Sequence, residues 1–241
     1  MFQSIGMGAG DWKCACWLFV IALIFALVDW VAVARRVVRL RYVSKPAALL
    51  AVFVGAWLLT RGPHDPWQAR FFLPGLAFSL VGDVCLLLPG KRWFVAGLVA
   101  FFLTQICYIA GLNPTFPRGL PLYSVLGFLI VVVLVGVVLF RSIAPGLRQS
   151  NRGIALSILI PLAIYGLTLS LTLFSGWATL FRPEWTPLRR VLVILGVSLF
   201  FTSDLLIAWD RFVRRSHRLK LLDIITYHLA QVALALSIAL W

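Results

Sequence analysis

Two aspartates lie where a carboxylate is costly to place. Asp83 is centred in "SLVGDVCLLLP", residues 79–89, and Asp204 in "SLFFTSDLLIAWD", residues 198–210. An ionisable side chain inside a bilayer costs about 2.5–3.5 kcal/mol on insertion scales, and such residues usually face a cavity or a pathway. Two carboxylates in different surroundings can divide general acid and base roles, or pass a proton along a relay. Asp83 falls six residues before Pro89 and Asp204 six before Asp210. At the α-helical rise each is roughly 9 Å from its helix end. Tyr227 and His228 fall at a similar level in a later apolar run, with Gln231 on the same side at i+4 from Tyr227. Asp29 reaches that level too, and reads as an edge ion pair with the nearby Arg35–Arg36. Gln105, Tyr108 and Tyr165 complete a polar slab, although Gln and Tyr are also the types that tie membrane helices together.

Such residues must be carried by membrane helices. Of the 241 residues 62% are hydrophobic and 12% charged, far from the balance of soluble domains. A span needs about 20 apolar residues. Eight stretches qualify, at about 17–34, 46–60, 70–89, 93–112, 121–140, 154–181, 191–209 and 222–241, the second being the shortest. The expectation is an all-α polytopic membrane protein, one transmembrane domain over residues 1–241. Asp followed by an apolar turn and a basic helix end recurs in "VGDVCLLLPGKRW" and "TSDLLIAWDRF", a weak echo of a 4+4 parallel repeat.

Net charge is +14, but its placement points to topology rather than nucleic acid. With the termini on one face, 15 of the 22 basic residues gather on the other, chiefly in the segments 35–45, 91–92, 141–152 and 211–220. The positive-inside rule makes that face cytoplasmic and puts both termini outside. The expected location is a bacterial inner or plasma membrane, the site facing the cytoplasmic leaflet. The first apolar segment lacks a cleavage site and reads as a retained span. Cys14, Cys16, Cys85 and Cys107 give no disulfide framework, and His64, His217 and His228 have no ligand spacing, so neither metal nor cofactor is implied.

The chain resembles the YhhN-like lysoplasmalogenase family of eight-helix membrane proteins. The residues carrying the resemblance are "KPAALL", "SLVGDVCLLLP", "FFLTQICYIAG", "PLAIYG", "TSDLLIAWDRF" and "TYHLAQ", in that order from about residue 44 onward. Many relatives carry His where this chain has Gln105, and Asn where it has Asp210. The resemblance implies hydrolysis of the vinyl-ether bond of a lysoplasmalogen, with membrane lipids as the surroundings and no nucleic-acid partner. It implies Asp83 and Asp204 as catalytic residues, either of them the acid. Gln105, Tyr108, Tyr165, Tyr227, His228 and Gln231 become substrate contacts. Lys45, Arg92 and Arg211 become candidates for the lipid phosphate, Lys45 favoured by the Lys-Pro pair. The rival reading is a proton-coupled carrier. It calls for broken helices and a polar pathway to the far face, where the sequence places few polar groups and helices three and seven show no break beyond Gly75 and Gly82.

Overall fold

A computed structural model describes residues 9–62, 64–115, 120–148 and 152–240; the extreme termini and Arg118 lie outside the described residues. The described chain is helical throughout. The helices are α1 (Ala9–Ala34), α2 (Val38–Leu59), α3 (Pro66–Leu87) and α4 (Lys91–Leu112), then α5 (Leu122–Arg148), α6 (Arg152–Ala178), α7 (Pro187–Phe212) and α8 (His217–Ser237). A 3₁₀ turn, Thr179–Phe181, follows α6. In hydrocarbon a helix satisfies its own backbone N–H and C=O groups, which is why apolar runs of this length adopt it. Among the described residues, α1–α4 and α6–α8 are long and apolar enough to cross a bilayer, and α5 opens with the apolar run Leu122–Leu134.

Several helix starts precede the sequence expectation, while α3, α6 and α8 end before it. The second helix begins at Val38 rather than 46, and the eighth at His217 rather than 222. Arg39, Arg41, Lys45 and Lys220 are helix-compatible residues whose long stems run along apolar surface while the charge reaches water or a partner. A hydropathy window trims such turns away. The consequence is that Lys45 sits two turns inside α2, and Asp223 lies in the second turn of α8 rather than at its start.

Turn chemistry sets the helix starts. Asp65 caps α3 by accepting from the N–H groups of Trp67 (2.9 Å) and Gln68 (3.1 Å), with Pro66 next to it. Thr186 and Pro187 repeat the arrangement at α7. At the other end of α3, Pro89 holds Leu88 extended, and Gly90 at φ +113° supplies a left-handed residue before α4. The α3–α4 hairpin then closes tightly. A Cβ built on Gly82 would stand 2.7 Å from the Phe101 ring, so only glycine lets that ring lie on α3. The hairpins α1–α2, α3–α4 and α7–α8 are the closest-packed pairs, whereas α5 rests lightly on α6. The two aspartate-bearing hairpins therefore match in packing, but α1–α2 and α5–α6 do not.

The far end of the bundle is more polar than the sequence led one to expect. Arg189 of α7 donates to both Asp65 and Gln68 Oε1 (3.0 Å), and Gln68 Nε2 donates to Ser237 Oγ (2.9 Å), locking α3, α7 and α8. The Arg189 guanidinium lies 3.5 Å over the Trp185 ring, and buried Arg182 donates to the Thr115 carbonyl at 2.6 Å. Prolines also lie inside α2, α3 and α6, at Pro46, Pro74 and Pro161, so α3 carries Pro74 beside the Gly75 and Gly82 named from sequence, yet each helix continues through its proline.

Candidate active site

The two aspartates of the opening motifs are held in different company. Asp83, fully buried on α3, has Lys45 Nζ of α2 at 2.9 Å from Oδ1 and accepts from Tyr227 Oη of α8 at 2.8 Å on Oδ2. The lysine contact is an ion pair out of line for a directed hydrogen bond. Its ammonium also lies 5.2 Å from the centre of the Tyr227 ring. Three helices thus converge on one carboxylate. Burial of Lys45 and Asp83 together is tolerable because each supplies the other's countercharge.

Asp204, partly buried on α7, accepts from Tyr165 Oη of α6 at 2.6 Å. Among the described residues no basic side chain lies within 4 Å of it. Gln105 of α4 lies beside both Asp204 and Tyr165. It is fully buried, and neither amide atom finds a hydrogen-bond partner among the described residues. A buried amide left unpaired costs about 1–3 kcal/mol, so its position calls for an explanation.

Two further acids enter this layer. Asp29 of α1 is fully buried and accepts from Ser44 Oγ (3.0 Å), with Arg41 Nε at 3.4 Å on the same oxygen. The edge ion pair expected for Asp29 therefore forms across the α1–α2 hairpin with Arg41, not with Arg35 or Arg36. Asp223 of α8, absent from the sequence expectation, accepts from Ser203 Oγ at 2.8 Å. A signal for it exists: Asp223 and Tyr227 stand at i and i+4 within the expected eighth helix, on the side that carries Gln231. Four of the chain's eight acidic residues thus share this layer, and Asp210 lies beyond it at the end of α7. Trp30 Nε1 donates to His228 Nδ1 at 3.0 Å. That bond makes Nδ1 the acceptor and leaves the ring proton on Nε2, which is buried and unpaired among the described residues.

Tyr108 and Gln231 are brought together differently. Tyr108 Oη donates to Gln231 Oε1 (2.6 Å), Gln231 Nε2 donates to Ser79 Oγ (2.9 Å), and Ser79 meets Thr104 Oγ1 at 3.1 Å. These groups satisfy one another and tie α3, α4 and α8. Arg211, at the end of α7, lies 3.4 Å over the Phe94 ring at the exposed rim, away from the acids. Arg92 is exposed. No group of three His, Cys, Asp or Glu side chains able to hold a metal ion occurs among the described residues.

Chemically, the arrangement offers one carboxylate set against an ammonium and a phenol. A second carboxyl, with no cation against it, can hold a transferable proton. An amide with free donors and acceptor stands beside the second. Known proteins share this sequence pattern. The model of the YhhN family matches residues 40–238. The chain is 30% identical over 166 residues to lysoplasmalogenase TMEM86B of Homo sapiens, 67% of this chain and 60% of that protein. It is 27% identical over 232 residues to lysoplasmalogenase TMEM86A of Bos taurus, covering 93% of this chain and 85% of that one. With the lysoplasmalogenase of Mycobacterium tuberculosis it shares 26% over 147 residues, 61% of this chain and 51% of the relative. No solved structure matches. The family match runs from α2 to α8 and takes in every residue around Asp83 and Asp204 except those of α1: the chain belongs to the YhhN family.

Proposed function

We propose that the protein hydrolyses the vinyl-ether bond of lysoplasmalogens, with Asp204 as the proton donor and Asp83 as the standing carboxylate. The observation that carries this reading is the unequal partnering of the two acids: Lys45 and Tyr227 on Asp83, Tyr165 alone on Asp204. Asp204 protonates the alkenyl carbon β to the ether oxygen, generating an oxocarbenium ion. The negative charge of Asp83 steadies that cation. Water adds at the cationic carbon and returns a proton to Asp204, and the hemiacetal collapses to a fatty aldehyde and a glycerophospho-base. Gln105 is the group placed to orient that water, which would satisfy its unpaired amide. The relatives named lysoplasmalogenase support the substrate class.

The site sits at the end of the bundle where the basic residues gather, so we place it toward the cytoplasmic leaflet with both termini outside. The carrier reading gains polar groups at the far end but meets an interruption. Between Ser79 and Gln68, α3 buries Phe72 and Leu76 completely, and Phe72 stacks on Tyr108 at 4.8 Å between ring centres. Along α3, residues 69–78 offer a proton relay no hydroxyl or carboxyl.

The test is aldehyde release by the purified protein in detergent. Lysoplasmalogen should yield aldehyde; the saturated alkyl-ether analogue, which lacks a protonatable alkene carbon, should bind without cleavage and inhibit competitively. Absence of aldehyde together with proton-dependent flux in liposomes would overturn the hydrolase in favour of a carrier.

A further inference from the structure

A cavity of about 340 Å³ opens on the basic end of the bundle, apart from the acids themselves. Three chain segments line it: Arg36 at the α1–α2 turn, Arg41 on α2, and Arg215, Ser216, His217 and Lys220 at the α7–α8 turn. Ala32, Val33 and Val38 complete a mostly apolar wall, so four permanent cations line one concavity largely through their alkyl stems. Their countercharge is incomplete. Arg41 has Asp29 at 3.4 Å and Lys220 has Asp210 at 3.9 Å. Among the described residues neither Arg36 nor Arg215 has a carboxylate within 4 Å. The backbone keeps Arg36 in place at φ +60°, an uncommon conformation for a side-chain-bearing residue, with the N–H of Val37 bonded to Ala32 O at 2.8 Å.

We infer that this cavity is the phosphate subsite for the headgroup of a lysophospholipid, an assignment that rests on the hydrolase reading. Arg41 connects the two sites. It lines the cavity, and its Nε holds the Asp29 oxygen that also accepts from Ser44, the neighbour of Lys45. Arg41 and Lys45 stand at i and i+4 on α2, one turn or roughly 6 Å apart along the helix. The Lys45–Asp83 pair thus begins about one helical turn along α2 from a residue that lines the cavity. A three-carbon glycerol unit separates phosphate from ether oxygen in a lysolipid, a span of the same order. Planar guanidiniums suit phosphate oxygens, whereas Lys45, the residue favoured from sequence, is buried and engaged by Asp83.

Equilibrium binding decides the assignment without reading turnover. The probes are a saturated alkyl-ether glycerophosphoethanolamine, the alkylglycerol of the same chain length without phosphate, and inorganic phosphate as competitor. The exposed pair is replaced as Arg36→Gln with Arg215→Gln, and separately as Arg36→Lys with Arg215→Lys, which keeps the charge. The glutamine pair should bind the phospholipid about tenfold more weakly, or worse, with alkylglycerol affinity unchanged. The lysine pair should recover most of the loss. Equal weakening for both lipids, or no weakening, overturns the site. Displacement of the lysolipid by inorganic phosphate at equal concentration overturns the lipid assignment in favour of a free-phosphate site. The alkyl lipids are not cleaved, so the two readings fail separately. A protein that releases no aldehyde from lysoplasmalogen would refute the hydrolase, and the binding comparison would still decide the cavity.

Discussion

Lys45 and Asp83 form the interaction on which most depends at the scale of single residues. Replacing Asp83 or Asp204 by Asn should lower aldehyde release at least about 100-fold, the low end for general acid–base catalysis. The two variants should nevertheless differ in stability. Asp83→Asn strands the buried Lys45 ammonium, and loss of one partner of a buried pair costs about 3–5 kcal/mol. Asp204→Asn strands no cation and should melt near the wild type. The double change Lys45→Met with Asp83→Asn should recover stability without recovering turnover, which thermal unfolding and an aldehyde assay together would establish. Gln105 gives the converse case. Gln105→Leu removes an amide that no described protein group satisfies, so the unfolding temperature should hold or rise while turnover falls about tenfold or more. A drop in stability with unchanged turnover would assign Gln105 to packing alone.

At the scale of elements, the far end of the bundle works as a clamp on α3, α7 and α8. Burial by itself would raise the Asp65 carboxyl. The Arg189 guanidinium and the N–H groups of Gln68 and Trp67 outweigh it and hold Asp65 below the ordinary carboxylate range. A depressed carboxyl contributes stability that is fully present above its unfolded value of 3.8 and is lost as pH falls through the lower folded value. Asp65→Asn should therefore unfold at a lower temperature than wild type at pH 7. The gap should narrow below pH 3.8 and close once wild-type Asp65 is itself protonated. A gap that persists unchanged into that acid range would show that the amide disturbs the α3 cap rather than the ion pair. The same clamp keeps α8 in register, so that Tyr227, ten residues after His217, meets Asp83 near the opposite end.

For the whole molecule, charge and polarity divide the bundle into two unlike ends. One carries five buried or half-buried acids, Asp29, Asp83, Asp204, Asp210 and Asp223, with a rim of arginines; the other carries the Arg189–Asp65–Gln68 clamp. On the positive-inside rule we expect the rim to face the cytoplasm. Fused after Trp241, a reporter that works only outside the cytoplasm should be active, and one that works only inside it silent. The reverse result would place the site under the outer leaflet. The cavity proposed for the headgroup and the aspartates proposed as catalytic lie on the same end, so on these readings orientation decides which leaflet supplies substrate.

The sequence by itself determined the helical membrane class, because runs of apolar residues long enough to cross a bilayer have few other ways to satisfy their backbone. It also singled out Asp83, Asp204, Tyr165, Tyr227 and Gln105, since a carboxylate or amide in such a run is conspicuous one residue at a time. Partners were not legible. That Lys45 answers Asp83, that Arg41 rather than Arg35 answers Asp29, and that Asp223 joins the layer follow from how hairpins align across separations of 12 to 38 residues. Helix ends are underestimated wherever Arg or Lys continues a helix past its apolar run, which misplaces Lys45. The unequal surroundings of the two aspartates, on which the proposed division of acid and anion rests, came from the tertiary structure alone. A linear pattern fixes which residue types are buried, while the approach of α2 and α8 to α3, and of α6 to α7, fixes what each buried charge meets.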